Sequence, residues 1–180
     1  TEIVNPNPYI APELTAIETS YVAQLMQDPG VQTALEAVPG MRSLHLHQLS
    51  AQDIKLGALS GQETAERMRA GNLTATEVVE SAINRAKAGD HLATIDHALF
   101  DEARAKAAEM DRNRDFSAPF AGVPSMTKAN VKVEGAPTSY GSRDVGTNTA
   151  TANSPHVDAL LALGFIPIAI SKSSEFGFNG

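Results

Sequence analysis

The 180-residue sequence contains no cysteine, and this absence removes several classes of chemistry at once. Without thiols these residues form no disulfide, no thiolate metal site and no cysteine nucleophile. Such a composition is compatible with the reducing cytosol, and we expect a cytoplasmic protein.

Long apolar runs and an excess of positive charge are also missing. No stretch approaches the roughly 20 apolar residues that a membrane-spanning helix needs. The formal net charge of −7 disfavours a nucleic-acid partner, because phosphate backbones attract basic surfaces. Since 42% of the residues are hydrophobic and 19% are charged, the composition is that of an ordinary globular protein. We therefore expect neither a membrane nor a nucleic acid as a partner.

No serine lies in a Gly-x-Ser-x-Gly turn, the usual setting of an activated serine in an α/β hydrolase. Serine hydroxyls near glycine and proline most often cap helices or stabilise turns. We assign that structural role to the five serines near the loops that follow, which are Ser139, Ser142, Ser171, Ser173 and Ser174.

Histidine and glycine patterns give no cofactor or metal site. His45 and His47 would share one face of a strand, but two ligands without an acidic partner do not make a metal site. Asp96 and His97 are adjacent, yet no serine in a nucleophile motif accompanies them. The glycines form no phosphate-binding loop. We therefore expect no metal and no cofactor.

The most informative feature that is present is a single lysine between two loop-forming stretches. Lys128 follows the turn sequence Pro119-Phe-Ala-Gly-Val-Pro124 and precedes the Gly/Pro/Ser-rich stretch from Gly135 to Ser142. A lysine held in apolar surroundings loses part of its preference for the charged form, and a neutral amine can accept a proton from a hydroxyl. The alternative is that Lys128 extends from a strand end into water.

The hydrophobic pattern predicts helices first, then strands alternating with loops. Ser60-Gly-Gln-Glu63 and Thr74-Ala-Thr-Glu77 are capping boxes, and apolar residues at helical spacing follow each of them. Further helices are predicted from Leu14 to Leu25, from Val31 to Ala37, from Phe100 to Met110 and after the cap Ser154-Pro155.

Three strands are predicted: a short one at Ile95, one carried by residues 125–133 with Lys128 within it or at its end, and a buried one over residues 165–170. The second strand, the helix after Ser154 and the third strand make a βαβ unit. Residues 135–153 form a long loop between them, and loops of this length are often functional.

These elements, taken in order, resemble the opening of the amidase signature family. The resemblance rests on Pro-Phe-Ala-Gly-Val-Pro, Lys-x-Asn, and Val-x-Gly-x-Pro-Thr-Ser-x-Gly-Ser within residues 119–142. It extends to the helix pair around residues 70–79, to the segment around residues 159–168 and to Ser-Glu-Phe-Gly at residues 174–177. Together the matches cover residues 57–180.

The resemblance implies a fold, a reaction and a site residue. The fold would be α/β, a mixed sheet flanked by helices, incomplete in these residues and preceded by a helical N-terminal region. The family hydrolyses carboxamide C–N bonds with a serine–cis-serine–lysine triad, in which Lys128 would be the base. The implied partners are a small-molecule amide and the remainder of the amidase chain, and a homodimer stays open.

The sequence departs from the family pattern in three places. The Gly-Gly-Ser-Ser-Gly-Gly-type segment that supplies both serines is missing, so we expect these 180 residues to be inactive alone. Ala129 stands where the family usually has aspartate. Residues 169–172 read Ala-Ile-Ser-Lys where the family often has Gly-Lys-Thr-Asn.

Two other functions stay open, and the chain is expected to divide near residue 56. The first alternative is a glutaminase or amidotransferase component of the same family, and the second is a non-catalytic interaction module that keeps the N-terminal fold. We predict that residues 1–56 form a helical extension and that residues 57–180 form the first part of the α/β core.

Overall fold

The computed structural model describes residues 49–145 and 148–178. The predicted helices over residues 14–25 and 31–37 and the His45/His47 pair lie outside these residues, so the division of the chain near residue 56 stays a prediction. The α-helices of the described part are α1 Ala51–Gly57, α2 Gly61–Arg69, α3 Ala75–Ala88, α4 Phe100–Asn113 and α5 Pro155–Ala162. The strands are β1 Ile95–Ala98, β2 Pro124–Lys128 and β3 Ile166–Ser171, and short 3₁₀ turns cover Asp90–Leu92 and Glu175–Gly177.

Both predicted capping boxes are confirmed at the starts of α2 and α3. The Ser60 hydroxyl accepts a hydrogen bond from the Glu63 N–H at 3.2 Å, and the Glu63 carboxylate accepts one from the Ser60 N–H at 2.9 Å. Thr74 and Glu77 make the same reciprocal pair at 3.1 and 2.9 Å. These bonds satisfy backbone donors that a helix start otherwise leaves unpaired.

The predicted α/β fold with a mixed sheet is confirmed, and β3 is its central strand among the described residues. β3 pairs with β2 in parallel and with β1 in antiparallel orientation, which gives the order β1-β3-β2. The predicted βαβ unit is also confirmed, because α5 connects the two parallel strands. The apolar run predicted as a buried strand corresponds to β3, in which Ile166, Ile168 and Ile170 are buried.

Apolar side chains cover both faces of this sheet. One cluster joins α3 and α4 to the sheet through Ile83, Ala107 and Ala169. A second cluster contains Val157 of α5 and Ile170. Because Ala169 and Ile170 are neighbours in one strand, they point to opposite faces. Helices therefore pack on the two sides of β3, the strand that is buried on both faces.

The structure corrects two details of the predicted elements. The second strand ends at Lys128 rather than at residue 133, because Val131 donates a backbone hydrogen bond to the Lys128 carbonyl at 3.0 Å and turns the chain. Ser154 occupies the N-cap position of α5, but its hydroxyl donates to the Lys132 carbonyl at 3.3 Å instead of accepting from the helix.

A buried polar contact joins α1 to α3. The Asp53 carboxylate of α1 accepts a hydrogen bond from the Ser50 hydroxyl at 2.8 Å, and this bond holds the pKa of Asp53 below its ordinary value. Arg85 of α3 donates to the Asp53 carbonyl at 3.0 Å. Burial lowers the pKa of Arg85, and the nearby Asp53 charge opposes that effect. The contact fixes α1 on the outer side of α3.

Candidate active site

Three strand ends meet at one edge of the sheet. β2 and β3 run parallel and end together, with Lys128 paired to Ser171. β1 runs the opposite way and begins there, with Ile95 paired to Ser171. We call this region the carboxyl edge and define it as Lys128, Ser171 and the loops over residues 129–142 and 172–178. In open α/β sheets ligands bind outside the carboxyl ends of the parallel strands.

Lys128 is the last residue of β2, and its side chain is exposed in the described residues. No other group of the described part makes a hydrogen bond or an ion pair with its amine. The apolar surroundings expected from the sequence are therefore not supplied by these residues. The reason is that β2 lies at the edge of the described sheet, with β3 as its neighbour on one side.

Ala129 fixes the direction in which the chain leaves β2. Its N–H donates to the Ser171 carbonyl at 2.9 Å, and its carbonyl accepts from the Tyr140 N–H at 2.9 Å. The alanine side chain is fully buried in the cluster that contains Val157 and Ile170. Lys128 therefore sits between a regular strand and a residue that is held on both sides by backbone hydrogen bonds.

The loop after β2 is attached to β1 by a side-chain contact. The Ser139 hydroxyl donates to the Asp96 carboxylate at 2.8 Å and accepts from the Gly141 N–H at 3.1 Å. Sequence reasoning missed this pair, because the two residues are 43 positions apart and neither lies in a local motif.

The loop also holds the C-terminal segment of the described chain. The Phe176 N–H donates to the Tyr140 carbonyl at 2.7 Å, and the two rings are stacked with centroids 6.4 Å apart. Both residues have left-handed backbones, with φ values of 52° and 50°. Glycine normally fills such positions, so two aromatic residues there represent backbone strain.

Three other serines of the carboxyl edge bond to backbone groups, and the bonds of Ser142 and Ser173 are local, as expected of turn residues. The Ser171 hydroxyl donates to the Thr127 carbonyl at 3.2 Å, and the Ser173 hydroxyl donates to the Ser174 carbonyl at 2.8 Å. Ser142 is buried and accepts from the Asp144 N–H at 3.4 Å. In the part of the chain that the structure describes, no histidine is hydrogen-bonded to any of these hydroxyls.

The described ranges contain neither a metal-binding cluster nor a membrane span. No group of three or more His, Cys, Asp or Glu side chains is arranged there to hold a metal ion. No helix of residues 49–145 and 148–178 is long and apolar enough to cross a bilayer.

An apolar groove of about 550 Å³ lies between α4 and α5 beside β3 and reaches Val133 and Glu134 of the loop after β2. Its walls are formed by α4, α5 and the start of β3, and they include Met110, Leu161 and Ile166. Lys128 does not line it. We assign no chemistry to this groove, because the residues singled out by the sequence lie at the carboxyl edge.

A parallel βαβ unit with a lysine at the carboxyl end of its first strand defines an α/β protein with its candidate site at the sheet edge. The sequence pattern of the Amidase family matches residues 77–180. The chain belongs to this family, the amidase signature enzymes, which confirms the resemblance seen in the sequence.

Individual relatives agree with this membership. The chain is similar to the amidase AmiC of Mycobacterium tuberculosis, with 35% identity over 128 residues that cover 71% of this chain and 26% of the relative. It is also similar to a glutamyl-tRNA(Gln) amidotransferase subunit of Lachnospira eligens, with 32% identity over 123 residues, 65% of this chain and 25% of that protein. The chain spans about a quarter of the length of the curated relatives it matches.

Solved structures give the same answer. A bacterial aryl acylamidase of the amidase signature family superimposes with a TM-score of 0.63 and 26% identity. The match covers 68% of this chain and 26% of that one. The described residues thus have the fold of about one quarter of such an enzyme.

Proposed function

We propose that the complete protein is an amidase that hydrolyses a carboxamide C–N bond, with Lys128 as the general base. The observation that supports this most is the position of Lys128 at the carboxyl end of β2, within the family match and with its amine free of partners among the described residues. An amine without a carboxylate partner can lose its proton when other residues remove it from water.

In this proposal Lys128 takes a proton through a bridging serine, and a second serine attacks the amide carbonyl. The acyl-enzyme that results is then hydrolysed by water. Both serines belong to a segment outside these 180 residues, and backbone N–H groups near the attacking serine would stabilise the oxyanion. We therefore propose that the 180-residue chain alone does not turn over amides.

The test is to replace Lys128 by alanine in the full-length enzyme and to measure amide hydrolysis by product release. Loss of a general base typically lowers kcat by about 10²- to 10⁴-fold. We therefore expect the kcat of Lys128→Ala to be at least about 10²-fold lower than that of the wild type. Lys55→Ala is the control and should keep the wild-type kcat, because Lys55 is also exposed but lies in α1, outside the carboxyl edge. Near-native turnover by Lys128→Ala would exclude Lys128 as the base.

A second candidate function is a glutaminase that delivers ammonia within an amidotransferase. The similarity to the amidotransferase component of Lachnospira eligens favours it. The two functions differ in their substrate and in their need for partners. Release of ammonia from glutamine only after other subunits are added would favour the amidotransferase, whereas hydrolysis of simple carboxamides by the isolated full-length protein would favour the amidase.

A further inference from the structure

The carboxylate of Asp96 reaches the carboxyl edge from β1. Asp96 is half-buried, and its Oδ2 accepts the hydrogen bond of the Ser139 hydroxyl at 2.8 Å. Among the described residues it forms no ion pair with a lysine or an arginine. A hydrogen bond to an ionised acceptor is roughly twice as strong as a bond between neutral groups. The contact therefore anchors Ser139 firmly to the sheet.

From Ser139 a series of hydrogen bonds continues to the residue next to Lys128. The Ser139 hydroxyl accepts from the Gly141 N–H, which lies on the far side of Tyr140. Between them, the Tyr140 N–H donates to the Ala129 carbonyl at 2.9 Å. The Asp96–Ser139 pair thus holds both neighbours of Tyr140, the residue that donates to the Ala129 carbonyl.

The loop needs such an attachment because its backbone is strained. Tyr140 has a left-handed conformation with a φ of 52°. For a residue other than glycine this conformation costs about 1–3 kcal/mol and persists only where the surroundings enforce it. The bond between Ser139 and Asp96 is a side-chain contact across 43 residues that opposes relaxation of this turn.

We propose that Asp96 is a positioning residue for Lys128. Its carboxylate holds Ser139, and the turn at Ser139 keeps the Tyr140 N–H on the Ala129 carbonyl. Ala129 in turn sets the direction of the Lys128 side chain at the end of β2. The inference rests on the proposed role of Lys128 as the base. A shift of about 1 Å in a catalytic group can lower the rate about 10²-fold, so a distant anchor can affect kcat without touching the substrate.

The kinetic test compares Asp96→Ala, Asp96→Asn, Ser139→Ala and the double variant Asp96→Ala/Ser139→Ala in the full-length enzyme. We expect Asp96→Ala to lower kcat by about 10- to 100-fold, within the range for misplaced groups, with KM changed less than about threefold. Asp96→Asn keeps an acceptor for the Ser139 hydroxyl and should restore kcat to near the wild-type value. The double variant should be no slower than Asp96→Ala, because both substitutions remove the same hydrogen bond between Ser139 and Asp96.

The matched control is Asp115→Ala. Asp115 also accepts a hydrogen bond from a serine hydroxyl, that of Ser117 at 2.8 Å, but it lies between α4 and the start of β2, whereas Lys128 ends that strand. We expect this variant to keep the wild-type kcat. Equal losses in Asp115→Ala and Asp96→Ala would assign both effects to general destabilisation and would overturn the proposal.

Hydrogen exchange supplies a readout that does not depend on activity. In the full-length protein, Asp96→Ala should increase the exchange rate of the Tyr140 and Phe176 amides, and Asp96→Asn should not. If exchange and kcat both stay at the wild-type level in Asp96→Ala, the inference is wrong. If Lys128→Ala keeps its turnover, the proposed function fails instead, while the exchange rates still decide whether Asp96 holds the Tyr140 contact.

Discussion

The packed helices and the carboxyl edge of this molecule differ in burial and in backbone strain. On the helix side, Val79, Ile83 and Ala107 are almost fully buried, and reciprocal caps satisfy the starts of α2 and α3. At the carboxyl edge, an exposed lysine lies beside two strained aromatic residues, Tyr140 and Phe176.

The difference shows where the fold gains stability and where it gives some up. Burying apolar side chains stabilises the folded state by about 25 cal/mol for each Å² removed from water. Aromatic residues held in left-handed backbone conformations lower the stability of the folded state, and such strained residues concentrate at functional sites. Changes in the helix layer should therefore alter stability, whereas changes at the edge should alter activity or local order.

The largest stability effect is expected for Ile83→Ala. Ile83 of α3 is completely buried in the cluster between the helices and the sheet, so its truncation should lower the free energy of unfolding by about 2–5 kcal/mol. Urea denaturation measures this change. Ile54→Ala is the matched control, because Ile54 is 42% exposed and its loss should cost much less. Equal costs for the two variants would contradict the comparison.

A smaller effect is expected for Gly141→Ala at the edge. Gly141 has a φ of 72°, and an added Cβ would lie against the Ser173 carbonyl oxygen and 2.7 Å from that of Ser174. We expect a loss of about 1–3 kcal/mol, measured by denaturation. Gly135→Ala separates backbone strain from steric overlap, since Gly135 also has a positive φ of 79° but an added Cβ there would meet nothing within 4 Å. If Gly135→Ala lowers the free energy of unfolding as much as Gly141→Ala, steric overlap with the Ser173 and Ser174 carbonyls is not the cause.

Asp111→Ala tests a cap that joins α4 to α3. The Asp111 carboxylate accepts from the backbone N–H groups of Ala75 and Thr76 at 2.8 and 2.9 Å. Its removal should cost about 1–2 kcal/mol, the upper range for helix caps, and should speed amide exchange in the first turn of α3. Asp115→Ala removes a local bond to Ser117 and should leave that exchange unchanged. If the amides in the first turn of α3 exchange as slowly in Asp111→Ala as in the wild type, Asp111 does not act as a cap.

The smallest effect is expected from the ionisation of Asp53. Its pKa is lowered from the ordinary value of 3.8 in the folded state, chiefly by the Ser50 hydroxyl, so the ionised form stabilises the fold. This contribution is fully present above the unfolded value and is lost as the pH falls through the lowered folded value. Unfolding free energies measured across the acidic range should therefore fall less steeply for Asp53→Asn than for the wild type. Identical slopes would show that Asp53 contributes nothing.

Much of the fold could be predicted from local sequence. The Ser60–Glu63 and Thr74–Glu77 boxes marked two helix starts, and the apolar run over residues 165–170 marked the central strand. These signals work because caps and buried strands depend on residues close in sequence. The sequence left open whether Lys128 lies within the second strand or at its end, because the Tyr140 bond to Ala129 that helps turn the chain joins residues 11 positions apart in an irregular loop.

The candidate site was only partly predictable for the same reason. Lys128 stood out through its flanking turns and through the family resemblance. The anchor of the carboxyl edge joins Asp96 and Ser139, which are 43 residues apart in sequence. No pattern within a window of neighbouring residues carries such a pairing.

One measurement tests the central proposal most directly: the distance from Lys128 Nζ to the nearest serine Oγ in a crystal structure of the full-length protein. We expect a hydrogen bond of about 2.6–3.2 Å to a serine from outside these 180 residues, with the amine enclosed. A Lys128 side chain that still extends into bulk solvent there, or that is ion-paired with a carboxylate, would contradict it.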